Sequence, residues 1–477
     1  MTMEKQGFNP YMPSWEYVPD GEPHVFGDRV YVYGSHDRFN GYAFCMNDYI
    51  CYSAPVTDLK DWRYEGVIYK KTDSPQNEDG EYCMGAPDVC QGSDGRYYLY
   101  YSIGNFNRVP VAVCDTPAGR YQFLGFVHYE DGVFLGDKPG DTTFDPGVLA
   151  EGDKVYLYAG ICPPEVKSLP GAKVTVLKAD MLTIAEDPRL IVPSKAYSEG
   201  TGYEGHEFFE ASSIRKVGDT YYYVYSSIWM HELCYATSSS PVEGFVFGGT
   251  IVSNVDLGIG TYKDSDRRMN YSINNHGGMA QINGQWYIFY HRPTNGHSFS
   301  RQGCIEPIEI LPDGRIPQVE VTSCGPNGGP LKGEGYYPGY LACNLYSKDE
   351  SIQGVTPFGK YLDPRFPYIT QDEPDGTECQ GYVCYLEEGS AAGYKYFDCK
   401  NTHLVQIQTR GICDGHVLVK TAPDSCYIGK IPVKGSNEWK NYPTDIAIPD
   451  GVQALYFEYQ GYGFVSFNGF TLESNDL

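Results

Sequence analysis

The sequence predicts an all-β protein, built from a five-fold repeat and a separate C-terminal β-domain. Three observations predict it. The 477 residues include 44 Tyr and 55 Gly, a composition of aromatic strands joined by tight turns. Five tyrosine-rich strands recur, marked by Tyr31, Tyr98, Tyr156, Tyr222 and Tyr287, at separations of 67, 58, 66 and 65 residues. Each follows a Gly-Asp, Asp-Gly or Asn-Gly pair, the signal for a hairpin turn, so a second strand precedes each marker.

In the first unit the hairpin PDGEPHVFGDRVYVYGS is followed by ICYSAPVTDLKDWRYEGVIY (50–69), which reads as two more strands. The second unit repeats this with DGRYYLYYS and VAVCDTPAGRYQFLGFVH (111–128), the fourth with GDTYYYVYSS and LCYATSSSPVEGFVFGGTIV (233–252). The third and fifth units show the marker hairpin at GDKVYLYAG and NGQWYIFYHR, and their outer strands are expected by analogy. Radial repetition of four antiparallel strands makes a β-propeller, here of five blades, whose first strands line a central channel. CIEPIEILPDGRIPQVEV (304–321) is expected as a closing strand pair around a Pro-Asp-Gly turn. The Gly/Pro-rich SCGPNGGPLKGEGYYPG (323–339) reads as a linker. Beyond Leu341 the repeat is lost, and short strands such as HVLVKTA and CYIGKIPV suit a β-sandwich. The expected organisation is a propeller over 1–322, a linker over 323–340 and a sandwich over 341–477.

A formal charge of −25 opposes binding to nucleic acid or an anionic membrane and is compatible with a neutral substrate such as a sugar. No apolar run approaches the ~20 residues of a membrane span. The start, MTMEKQGFNP, has no signal core, so a cytoplasmic protein is expected, monomeric or a small homo-oligomer. The 15 cysteines show no CxxC or Cys/His metal spacing and read as reduced thiols.

One chemically useful residue precedes each marker at nearly constant distance: Asp20 by 11, Asp88 by 10, Asp145 by 11, Glu210 by 12 and His276 by 11. Singly, each has a plain explanation. Asp20 and Asp145 lie in Pro-containing turns, Asp88 could end a strand, Glu210 has Glu204 and Glu207 as rivals, and His276 reads as a structural histidine. Independent residues would not keep to one offset in five units, and a propeller would bring that position to one channel mouth. Carboxylates sharing a pocket raise each other's pKa. Glycoside hydrolysis uses this: one carboxyl stays protonated for the leaving oxygen, and another is ionised to activate water or attack the sugar. A third can hold the acid's pKa high.

As a set, PDGEPHVFGDRVYVYGSHD, GAPDV with DGRYYLYYS, FEASSIRKVGDTYYYVYSS, and NNHGGM with WYIFYHRP make residues 9–324 resemble glycoside hydrolase family 43. Its members are five-bladed propeller enzymes that invert the anomeric centre. The resemblance implies Asp20 as general base, Asp88 as the residue that raises the acid's pKa and orients it, and Glu210 as general acid. It places His276 near the axis, holding a water or, through water, a calcium ion, and makes Arg292 a substrate contact. Asp145 is left as a structural or substrate-contacting position. Many members have Asp-Pro at the base, whereas here the order is Asp20-Gly21-Glu22-Pro23, which makes Glu22 a rival. No cofactor is implied for the chemistry.

The implied substrates are oligosaccharides, with terminal α-L-arabinofuranosyl residues of arabinoxylan fragments expected first and β-D-xylosyl residues second. Trp15, His36, Phe39 and Trp229 are candidate substrate contacts, with core packing as the alternative for each aromatic. LVKTAPDSCYIGKIPV, NEWKNYPTDIAIPDGVQALYFEYQG and FNGFTLE resemble a family 6 carbohydrate-binding module, a sandwich that frequently carries calcium. Trp439 there has the chemistry of a sugar contact and also that of a strand core. A non-enzymatic propeller lectin would have no use for an Asp/Asp/Glu set, and a retaining fructosidase would carry WMNDPNG and RDP motifs, which are absent.

Overall fold

A computed structural model describes residues 5–104, 106–348 and 365–475. No α-helix occurs among them. Each marker tyrosine lies in the second strand of a sheet, paired with the strand across its hairpin turn. Blade one runs Glu22–Phe26, Arg29–Tyr33, Tyr49–Pro55 and Arg63–Tyr69. Blade two is Met84–Gln91, Tyr97–Ile103, Pro110–Cys114 and Gln122–Phe126. Blade three is Gly147–Glu151, Lys154–Ala159, Gly171–Leu177 and Ile184–Pro193, so this one of the two units whose outer strands are expected by analogy has all four strands. Blade four is Phe208–Val217, Thr220–Ser227, Glu232–Ser238 and Val246–Ser253. Blade five has three: Met279–Ile282, Gln285–Pro293 and Arg301–Ile308.

The first strands neighbour one another around the ring in sequence order, and those of blades one and five meet to close it. A bridge between Gly21 and Gly277 makes the closure. Gly277 has no room for a side chain within its own blade, since a Cβ there would lie 2.0 Å from the Phe289 carbonyl oxygen. The strand pair expected over 304–321 is only half formed. Its first half is the third strand of blade five, and beyond the Pro312-Asp313-Gly314 turn the chain makes only an isolated bridge from Val319 to Val252 of blade four. The outer edge of blade five is instead covered by the N-terminal stretch. The Asn9 side chain donates to the Ile305 carbonyl at 2.8 Å and accepts from the Ile305 amide at 2.9 Å, and the Tyr11 amide donates to Gly303.

The C-terminal domain is a nine-stranded sheet curled over its own apolar core. Its longest strand, Gly451–Ser474, pairs early with Ala391–Cys399 and later with Tyr382–Leu386 and Gly335–Pro338, while Thr402–Lys420 runs along its other side. It turns over the core at Gly461, where φ is 149° and a Cβ would meet the Asp414 carbonyl oxygen at 2.5 Å. The expected linker over 323–340 is not a tether. Leu331–Lys332 and Gly335–Pro338 are strands of this sheet, because Leu331 and Tyr337 alternate inward and bury completely in its core. The two domains share that core, since Tyr271 and Ile273 of the propeller belong to it.

Candidate active site

A cavity of about 240 Å³ opens where the first strands begin. Asp20, Asp145 and Glu210 line it, with Arg301, Asn274 and an apolar wall that includes Phe44, Phe144, Phe209 and Met230. All three acids are buried.

Strand register explains which residues meet there. Across the hairpins Tyr31 faces His24, Tyr156 faces Leu149 and Tyr287 faces Ala280. Asp20, Asp145 and His276 each stand four residues before that partner. Glu210 stands five before Arg215, the partner of Tyr222, with bulges on either side. In blade two the turn between the strands is longer, and Tyr98 faces Cys90. Four residues before Cys90 is Ala86, which lines the cavity. Asp88 lies two residues further along the strand, outside the cavity. Its carboxylate accepts from the Val89 and Val148 amides, each at 2.7 Å, and pairs with His24 Nε2 at 2.6 Å. The expected role of Asp88 beside the acid is therefore corrected: its offset of 10 is one short of the 11 of Asp20 and Asp145, and the pairing across the longer turn spans one residue more, which together carry it two residues past the cavity position.

The backbone at the site is held in the left-handed region, with φ of 57° at Asp20, 49° at Asp145 and 71° at Ala211. Aspartate tolerates this; for alanine it costs roughly 1–2 kcal/mol. Hydrogen bonds hold each turn. The Asp20 amide donates to His291 Nδ1 at 3.3 Å, the Asp145 amide to Ser102 Oγ at 3.1 Å, and the Ala211 amide to Asp145 Oδ2 at 3.2 Å.

The acids are driven apart electrostatically. Burial alone would raise Asp20, but Arg301, whose Nη1 donates to Asp20 Oδ1 at 2.9 Å, leads the groups that hold it below the usual carboxylate range. Arg301 is itself fixed by Asp37, which accepts from its Nε at 2.8 Å and its Nη2 at 3.0 Å. Glu210 has no arginine partner, and His276 and the Asn274 side chain pull it down only in part. Burial, reinforced by the charges of Asp145 and Asp20, pushes it up to about 8. Burial also raises Asp145, partly offset by His276. His276 Nδ1 lies 3.5 Å from Asp145 and 4.0 Å from Asp20. Burial would lower the imidazole, yet the Asp145 hydrogen bond and the surrounding carboxylates push it to about 9, so it is an imidazolium at neutral pH. His291 is the opposite case: burial and Arg301 press it down to about 3, leaving a neutral ring. It donates from Nε2 to the Asn274 carbonyl and accepts the Asp20 amide at Nδ1.

The remaining sequence candidates fall elsewhere. Glu22 is buried outside the cavity, accepting from Ser213 Oγ at 3.0 Å and Arg215 Nη2 at 2.8 Å. Arg292 is corrected from substrate contact to domain clamp. It follows His291 on one strand and so points to the opposite face, where Nη1 donates to the Ala342 carbonyl at 2.7 Å. His36 is used within its loop, bonded to the Asp48 carbonyl and facing Glu16. Phe39 is buried against Tyr17, with ring centroids 5.6 Å apart. Trp15 is half-buried and does not line the cavity. Trp229 is 55 % exposed and immediately precedes Met230 of the cavity wall. Trp439 packs against Tyr382, with Arg410 over its ring. Arg301, Asn274 and the Phe44 loop escaped sequence reasoning. Arg301 sits in the plain string HSFSRQG, and only contact with Asp20 gives it meaning.

The sequence profile described as "Glycosyl hydrolases family 43" matches residues 18–316. A "Xylosidase/arabinosidase" of Thermoclostridium stercorarium is 59% identical over 471 residues, covering 98% of this chain and 99% of that protein. Among solved structures, an arabinoxylan arabinofuranohydrolase from Bacillus subtilis, in complex with cellotetraose, aligns over 98% of this chain and 97% of its own. Its TM-score is 0.52 at 19% identity, a likeness of fold. A GH43_1 enzyme from Xanthomonas citri complexed with xylose covers 65% of this chain and 92% of its own, at TM-score 0.52 and 25% identity. The matched profile spans the five blades and the three acids that share the cavity, and the chain belongs to glycosyl hydrolases family 43 and is a glycoside hydrolase.

Proposed function

We propose that the protein is an exo-acting, inverting glycosidase that removes terminal α-L-arabinofuranosyl residues from arabinoxylan-derived oligosaccharides and takes β-D-xylosyl residues second. One observation carries this reading: two carboxyls in one cavity, Asp20 held ionised by Arg301 and Glu210 held protonated up to about pH 8. That is the division of labour an acid–base pair needs. Asp20 takes a proton from water as its oxygen attacks the anomeric carbon, and Glu210 gives its proton to the departing oxygen. Asp145 replaces Asp88 as the residue that keeps the acid protonated. It is the first charged neighbour to raise Glu210, and it holds the amide of Ala211, the residue that follows. Asp20 is favoured over Glu22 because Glu22 lies outside the cavity and is engaged by Arg215.

A cavity of about 240 Å³ suits one sugar ring rather than a stretch of polymer. The Thermoclostridium stercorarium relative is named for both activities, and one pocket can serve both sugars. Trp229, exposed beside the cavity wall, is a candidate platform for the leaving group. On this reading the enzyme works on imported oligosaccharides in the cytoplasm. Among the described residues no helix is long and apolar enough to cross a membrane.

The chemistry needs no cofactor. A calcium ion held through water fits the channel side of the site: Glu22 Oε1 is buried without a partner, and Asp145 engages only the Nδ1 side of His276. Glu22, and His276 in its neutral form, would hold it through water, and the ion would then supply the fixed positive charge in place of the imidazolium.

The test is a parallel assay of aryl α-L-arabinofuranoside, β-D-xyloside and galactofuranoside, with NMR of the first-formed anomer. The expected outcome is turnover of the arabinofuranoside with inversion. Retention would make Asp20 a nucleophile, and inactivity on all three would favour a sugar-binding propeller.

A further inference from the structure

We propose that the C-terminal domain takes part in catalysis, with Asp375 as a positioning residue that acts on Asp20 through the blade-one loop and Arg301. This rests on the reading of Asp20 as the base. Asp375 belongs to a Pro374-Asp375-Gly376 turn of the C-terminal domain, closed by the Thr377 amide on the Pro374 carbonyl at 3.2 Å. Its side chain reaches the propeller. Oδ1 accepts from the Phe39 amide at 2.7 Å and Oδ2 from Asn47 Nδ2 at 3.0 Å. Those two residues bracket the loop that carries Phe44 and Cys45 of the cavity wall.

The same loop holds the base's cation. Asn47 Nδ2 also donates to the Asp37 carbonyl at 3.1 Å, and the Cys45 amide donates to Asp37 Oδ1 at 2.9 Å. Asp37 is fully buried and fixes Arg301, which in turn donates to Asp20. The path from Asp375 to the base is thus a continuous chain of hydrogen bonds. A second anchor lies next to it. The Asn295 amide donates to the Ile369 carbonyl at 2.6 Å, and Thr370 Oγ1 donates to Asn295 Oδ1 at 2.9 Å. Asn295 bonds Asn40 of the blade-one loop at 2.7 Å and begins the stretch that leads through Ser298 to Arg301. One short segment, 369–375, therefore pins both loops that build the Asp20 wall. Other domain contacts, such as Lys395 on Asp256 and Asp424 on Arg267, involve no residue that lines the cavity.

The charged and titratable groups facing Asp20 are Arg301, His276 and the neutral His291, with Asp145 and Glu210 sharing the cavity. Asp37 and the Cys45 thiol face it from behind Arg301. Of these, Arg301 is the group Asp375 can move. If the loop slackens, Arg301 withdraws and the Asp20 carboxylate loses its fixed place beside the attacking water, so the step that needs the base slows while attack by azide, which needs no base, does not. A purely structural role would slow both alike.

The experiment is kcat and KM on aryl α-L-arabinofuranoside, with and without azide, for the full-length wild type, D20N, D375A, D375E and D424A, with melting temperatures. D375A is expected to lose about tenfold in kcat, less than the ~100-fold that a misplacement of about 1 Å can cost, with azide restoring most of it. D375E should recover part of the loss without azide, and D424A should match the wild type. A D375A loss that azide does not restore, or no loss, overturns the proposal, as does an equal loss in D424A. An active D20N overturns the assignment of the base instead, and the proposal with it.

Discussion

Asp20 and Asp145 are the same residue at the same register position, both buried and both with positive φ, and one neighbour separates their chemistry. Arg301 donates to Asp20 and holds it ionised; Asp145 has His276 and an amide, and burial still raises it. Glu210, next to Asp145 and without a cation of its own, becomes the acid. Replacing Asp145 with Asn removes a negative neighbour, so the Glu210 pKa falls from about 8 and the basic limb of the activity profile moves to lower pH, with a drop in kcat. Asp88→Asn should leave both limbs in place. It weakens the pairing with His24 and the two amides and should cost roughly 1–3 kcal/mol of stability, read as a lower melting temperature. If D88N moved the basic limb instead, the reassignment from Asp88 to Asp145 would fail. The aspartates, Glu210 and His276 were visible in the sequence because reactive residue types recurred before a marked strand. Arg301 was not, since nothing in HSFSRQG distinguishes it from a surface arginine.

At the scale of the element, the hairpin is what made the blades readable and what misplaced Asp88. Alternation and turn residues mark where two strands join, but they do not reveal how many residues the turn absorbs. In blade two the longer turn shifts the register by one residue and Asp88 stands one residue nearer its marker, so Ala86 occupies the cavity position and Asp88 lies past it. Blade five shows a second limit. Its outer edge is covered by the chain's N-terminal stretch, a pairing across nearly 300 residues that no local pattern announces. Asn9 makes that closure almost alone, donating to the Ile305 carbonyl, Glu306 Oε1 and the Thr322 carbonyl and accepting the Ile305 amide. Asn9→Ala strands these buried groups and should cost about 2–4 kcal/mol, measured by denaturant unfolding. Asn9→Asp keeps the acceptor but sets a buried carboxylate oxygen against the Ile305 and Thr322 carbonyls and Glu306, so it should cost at least as much.

Over the whole molecule, propeller and C-terminal domain behave as one structure. Lys395 is fully buried and pairs with Asp256 at 2.9 Å and Glu320 at 3.2 Å across the domain boundary. Removing one partner of such a group leaves an uncompensated buried charge, so Lys395→Ala should destabilise by roughly 3–5 kcal/mol. Because Tyr271 and Ile273 join the C-terminal core, the loss should appear as one cooperative melting transition; two separated transitions would show independent domains. The sequence by itself determined the five blades, the β character of the C-terminal domain, the family and the acids and histidine from which the site's reactive groups are drawn. These follow from periodicity, turn chemistry and residue type, which are local. Only the tertiary structure decided which acids share the cavity, which one Arg301 keeps ionised, that Arg292 clamps the domains, and that residues 323–340 belong to the C-terminal sheet. Those outcomes depend on register, on which face a side chain takes, and on the charges that packing brings within about 4 Å, and none of these is a property of a short stretch of chain.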